Sequence, residues 1–142
     1  MRQPFDARGT GVKKILKDHG ISVISTEIEW NIVSYEYYAQ VVEKYLDLFD
    51  DVDGIYVGDL PAVACMAVAE KRGIRVPEEL KIIGYDGLDI GKFVTPPLTT
   101  VKQDIPRMAK CCVDTIMRLL DGDTDIEMKQ ICDVEFIKGG TM

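Results

Sequence analysis

Two carboxylates stand where an α/β fold exposes its working surface. Asp59 closes the run Gly54-Ile55-Tyr56-Val57-Gly58-Asp59, and Asp86 closes Leu80-Lys81-Ile82-Ile83-Gly84-Tyr85-Asp86. Each run is short and apolar, as a buried strand is. In an open parallel sheet the ligand crevice lies at the carboxyl ends of the strands. Both acids therefore project where a polar small molecule sits. A carboxylate accepts hydrogen bonds from two adjacent hydroxyls, which is how sugars are commonly held. The plainer roles are a helix cap for Asp59 and a turn cap toward Gly87 for Asp86. The two acids could also be imagined as an acid/base pair, but two binding or capping carboxylates is the stronger reading.

Other chemistries find little support. No nucleophile stands beside a base, since His19 is the only histidine and falls at a helix end. Cys65, Cys111, Cys112 and Cys132 form no CxxC and no metal-ligand spacing. They read as reduced, mostly buried thiols of a cytosolic protein, and neither a metal nor a cofactor is expected. Asp50-Asp51 precede a strand instead of following one, which argues against a receiver domain. The net charge of −7 sets the chain against a phosphate backbone. No apolar run reaches the length of a membrane span, and Met1-Arg2-Gln3-Pro4 leads into no apolar signal core. The 142 residues, 46% hydrophobic and 29% charged, suffice for one globular domain with a real core.

The elements that must position the two acids alternate along the chain. Residues 8–19 have helical spacing, with Val12, Ile15 and Leu16 on one face and Gly20 as a stop. Ile21 to Ile28 is β-branched and predicts a strand. Ser34 to Phe49 predicts a helix. Gly54–Val57 is a strand, Pro61 lies in the first turn of the next helix, and Gly73 ends it. Leu80–Tyr85 is a strand and Leu98–Lys102 is extended. Asp104 caps a helix running to Leu120, with Pro106 in its first turn. Gly122–Lys129 is a polar connection, and Ile131–Ile137 is the last strand. Strand-helix alternation of this kind predicts an α/β parallel sheet flanked by helices.

The run Gly54-Thr100, with VGD, GIRVPEEL, GYDG and PPLTT in order, resembles the effector-binding domain of the LacI/GalR family of sugar-responsive transcriptional regulators. The resemblance covers nearly the whole chain. It implies a periplasmic-binding-protein type I-like lobe and an effector that is a sugar or sugar derivative. It also implies site residues. Arg8, in R-x-x-G-V, would fork onto hydroxyls or a carboxylate of the effector, as a rigid planar guanidinium can. A cation at a helix start opposes the dipole there, which adds to that reading. Trp30, in E-W-x-x-x-S, would stack on a sugar ring, or else cap the core as lone tryptophans usually do. Asp86 would hold hydroxyls, Gln103 would reach the ligand from the lobe crossover, and Asp59 would touch the ligand or cap its helix. Gly58 replaces an asparagine that reaches the sugar in the family, and Tyr35 replaces a glycine.

Under the same resemblance, residues 1–142 form one C-terminal lobe, in which segment 98–121 belongs with an N-terminal lobe. The match starts just after the first strand of the C-terminal lobe, so the chain is expected to begin in mid-fold, without a DNA-binding domain. DNA would be reached only through a domain outside this chain. A cytoplasmic homodimer is expected, with residues 34–49, 87–95 and 104–120 in contact and Phe93 as anchor. The stripe Ile105, Met108, Ala109, Cys112, Val113, Ile116 and Leu120 needs a cover. The alternatives are a transporter's sugar-binding protein and, less favoured, an α/β receiver domain or enzyme.

Overall fold

The computed structural model describes residues 7–26, 34–127 and 129–142. It divides into two units, Met1–Val33 and Ser34–Met142. The first holds α1 (Ala7–Asp18). Gly20, at φ +73, turns the chain out of it and lets the Ile21 N–H donate to the Leu16 carbonyl at 2.9 Å. Residues 21–26 carry no strand pairing, which corrects the strand expected over Ile21–Ile28. β-Branched residues favour extended backbone, but a strand exists only where a neighbour completes the ladder. Residues 27 and 28 lie outside the described set.

The second unit is built on a four-stranded sheet in the order β1-β2-β3-β4. Its strands are β1 (Gly54–Tyr56), β2 (Lys81–Asp86), β3 (Thr99–Gln103) and β4 (Val134–Ile137). β1, β2 and β3 run parallel, and β4 joins β3 antiparallel. Three helices accompany them: α2 (Tyr35–Lys44), α3 (Asp59–Arg72) and α4 (Ile105–Leu120). The helix expected over Ser34–Phe49 breaks at Tyr45. There the N–H turns to the Val42 carbonyl, and a 3-10 turn over Leu46–Asp50 follows. Ser34 caps α2 through Oγ, which accepts from the Tyr37 N–H. Asp104 caps α4 in the same way, accepting from the Arg107 N–H at 3.0 Å.

α3 carries the core. Its small residues Ala62, Ala64, Cys65 and Ala69 let α2 and β2 approach it closely, and Leu80, Ile82 and Leu98 complete the buried cluster. Burial of each large aliphatic side chain here is worth about 1.5–3 kcal/mol. Gly73, at φ +73, ends α3, and the Ile74 N–H returns to the Ala69 carbonyl at 2.9 Å. Only glycine takes that turn without cost. The Cys65 thiol, buried among these side chains, is pushed up to about 12 and is inert.

The opposite end of the sheet is closed by the residues after β4. Thr141 is fully buried. Its Oγ1 accepts from the Thr99 N–H at 2.9 Å and donates to the Ile82 carbonyl at 2.5 Å. Its own carbonyl accepts from the Ile82 N–H at 2.9 Å. Thr141 thus bridges β2 and β3 before their direct pairing begins at Ile83 and Thr99. Gly139 permits this approach, because a Cβ there would overlap the Pro97 carbonyl oxygen. Thr141→Val should cost about 2–3 kcal/mol, since it leaves a buried N–H and C=O without partners. Urea unfolding of the variant measures the loss. A loss below about 0.5 kcal/mol would mean that water reaches those groups.

Candidate functional site

The strand ends converge on a small polar cluster. Asp86 is the last residue of β2 and Gln103 the last of β3. Both are half-buried. Gln103 Nε2 donates to Asp86 Oδ1 at 2.7 Å. Strict alternation would put these side chains on opposite faces, because Asp86 is in register with Lys102. The alternation fails at Asp86, whose φ is +119. A non-glycine residue held there stores about 1–3 kcal/mol of backbone strain. Gly87 follows at φ +74, and a Cβ on it would overlap the Lys102 side chain. The Asp86-Gly87 pair therefore turns the chain sharply and aims the carboxylate across the strand ends.

Asp59 lies beneath this turn. It is fully buried. Its Oδ2 accepts from the Leu88 N–H at 2.5 Å, and its Oδ1 accepts from the Thr100 hydroxyl at 2.6 Å. One carboxylate thus ties the start of α3, the loop after β2 and the middle of β3. Gly84 is a glycine for this reason, since a Cβ there would fall inside the Asp59 carboxylate. Asp59 is not the helix cap. Gly58 occupies that position, with no side-chain bond, and Asp59 is the first residue of α3. Its side chain faces the sheet rather than the helix's own first N–H groups.

Gly58 stands beside the cluster. A Cβ on it would lie 3.6 Å from Asp86 Oδ2, ordinary contact distance, so the position borders the carboxylate directly. Tyr38, from α2, is a further neighbour that the sequence analysis did not single out within the Ser34–Phe49 helix. Burial pushes its phenol above the ordinary range, and Tyr37 and the charge of Asp86 add to this. The one available signal was the Tyr35-Glu36-Tyr37-Tyr38 run at the helix start.

Of the other expected site residues, Arg8 lies on α1 in the first unit and is exposed. Trp30 lies outside the described residues. Phe93 follows the 3-10 turn Asp89–Lys92 and is 81% exposed. Two open concavities elsewhere are lined by Lys13, Lys17 and Ile21, and by Glu127, Lys129 and Ile131; neither contains Asp86 or Gln103. Among the described residues no group of three or more His, Cys, Asp or Glu side chains is placed to hold a metal ion. No helix there is long and apolar enough to cross a membrane.

Comparison with known proteins shows the family and the fold. Residues 2–142 match the model of the periplasmic binding protein-like domain. The chain is similar to the HTH-type transcriptional regulator MalR of Clostridium butyricum, 34% identical over 90% of this chain and 38% of the relative. It is also similar to the HTH-type transcriptional repressor PurR of Photobacterium profundum, 30% identical over 75% of this chain and 32% of the relative. The chain thus spans about a third of the length of these relatives. Among solved structures, a periplasmic binding protein/LacI transcriptional regulator from Alkaliphilus metalliredigens, complexed with D-xylulofuranose, superposes with a TM-score of 0.82. It is 24% identical, over 94% of this chain and 50% of that one, and shows the fold.

Proposed function

This chain belongs to the family of periplasmic binding protein-like domains, of the type found in LacI-family regulators, and from that premise we propose that it is the C-terminal part of an effector-binding domain whose ligand is a sugar or sugar derivative. Asp86 is the observation that carries the reading. A carboxylate held at a costly φ, at the carboxyl end of a parallel strand and braced by Gln103, fits a group kept for binding. Asp86 and Gln103 would accept from and donate to ligand hydroxyls. Arg8 and Trp30 would complete the set, the first by forked hydrogen bonds and the second by stacking. Asp59, with both oxygens bonded inside the fold, acts as a positioning residue.

In the intact regulator, effector binding would shift the closure of two lobes and so the spacing of DNA-binding heads, a two-state coupling between sites. The regulator would work in the cytoplasm and reach DNA through a domain other than this one. The names of the relatives favour this over a transporter's binding protein. Calorimetry of the intact regulator against free pentoses, hexoses and disaccharides tests it. One of these sugars should bind and change operator affinity. Binding confined to ligands without vicinal hydroxyls would overturn the reading.

The same proposal includes a homodimer with residues 34–49, 87–95 and 104–120 in contact. Phe93 at 81% exposure and Leu120 at 75% are apolar surface that a partner would cover. Light scattering at micromolar concentration should give twice the 15.9 kDa chain mass. Phe93→Ala should raise the dimer Kd about 10- to 100-fold if the ring is an anchor. A monodisperse monomer would refute it.

A further inference from the structure

Residues 123–127 and 129–133 lie back along one face of α4. Arg118 holds the Asp123 carboxylate at 2.6 Å and donates to the Asp125 carbonyl at 3.0 Å. Gln130 Nε2 donates to Thr115 Oγ1 at 3.2 Å. Arg107 faces Asp133 at 3.8 Å. Positions 107, 111, 115 and 118 succeed one another by about one helical turn, so they form a single row. Cys111 lies in that row between Arg107 and Thr115. On the returning chain, Cys132 lies between Gln130 and Asp133. The register of the two flanking contacts sets the two thiols against each other. Both are half-buried and neither is in a disulfide. A polar contact on each side keeps them opposite one another. Cys112, one residue on, is turned about 100° around the helix and is exposed.

We propose that Cys111 and Cys132 form a reversible disulfide that staples α4 to the segment leading into β4. With hydrogen peroxide as the oxidant, one thiolate attacks a peroxide oxygen, giving a sulfenic acid and water. The second thiol displaces that oxygen as a second water and forms the S–S bond. The sum is two thiols and one peroxide to one disulfide and two waters. A dithiol restores the thiols by exchange. Burial raises the Cys132 thiol above its ordinary range. Cys111 and Asp104 act in the same sense and Arg107 against it. Thiolate at Cys132 is therefore scarcer than at an ordinary cysteine, and attack through that sulfur is slower. The bond closes a loop of about 20 residues and so constrains the unfolded chain.

The test uses the whole chain, oxidised with peroxide and digested with trypsin without reductant. The expected product has lost two hydrogens and links peptide 111–118 to peptide 130–138. The link should persist in Cys112→Ser and disappear in Cys111→Ser and Cys132→Ser. Oxidation should raise the melting temperature of the wild type by several degrees, and dithiothreitol should reverse this. Neither Ser variant at 111 or 132 should show the rise. A link through Cys112, a link between two chains, or sulfinic acid at either cysteine without a link overturns the proposal.

Discussion

Asp59→Ala is expected to lower the unfolding free energy by about 3–5 kcal/mol, because two hydrogen bonds to a buried charged acceptor are lost together. The Leu88 N–H would be left in the interior without a partner, as would the Thr100 hydroxyl. For a domain with about 5–15 kcal/mol of stability this is a large fraction. Asp59→Asn should cost far less, about 1–2 kcal/mol. The amide oxygen can still accept from Leu88, and its NH2 can donate to a Thr100 hydroxyl that has rotated. The order wild type, Asn, Ala is thus the signature of a structural bridge. Urea melts with an unchanged m-value measure it. An Ala variant within about 1 kcal/mol of wild type would show that the bridge is not what fixes the loop after β2.

Asp86 should behave in the opposite way. In the regulator proposed above, Asp86→Ala is expected to weaken effector binding by about 2–5 kcal/mol, the usual loss on removing a charged acceptor that a bound ligand would bury. Its effect on stability depends on the replacement. At φ +119 an alanine keeps the Cβ clash and loses the Gln103 bond, whereas a glycine loses the same bond and relieves the clash. Asp86→Gly should therefore be about 1–2 kcal/mol more stable than Asp86→Ala, the reverse of the order in an ordinary strand. Both variants should be equally poor binders. Calorimetry and thermal melts on the same two variants separate the effects. Equal stability of the two would mean that the backbone at 86 relaxes once the carboxylate is gone, and unchanged binding would remove Asp86 from the site.

The elements legible in the sequence are those set by local rules. Gly73 stopped α3 because its φ +73 is glycine territory, and Asp104 capped α4 through its own side chain. The alternation of strands and helices fixed the sheet's parallel part. What escaped were features made by contacts far apart in the chain. Thr141 sits 59 residues from Ile82, and no window around it signals that its hydroxyl joins two strands. Asp59 read as a ligand group or a cap because both roles are local, while its actual partners are 29 and 41 residues away. Ile21–Ile28 had strand composition, but pairing is a property of two segments. The nearness of Asp86 and Gln103 came from the resemblance; the positive φ that makes it possible carried no signal in the residue types.

The bridge at Thr141 also sets a clock for the nascent chain. At about 5–20 residues per second, the ribosome needs about 3–12 s to pass from Ile82 to Thr141. Throughout that interval α3, β1 and the core aliphatics of β2 are already made, and once β3 has followed, its amino end and that of β2 still have nothing between them. Closing so distant a contact also carries a loop-entropy cost that local contacts do not. The interval is one in which Leu80 and Ile82, and later Leu98, are within reach of other chains. Yield from a cell would thus respond to translation speed and to chaperone supply as much as to the stability of the finished fold.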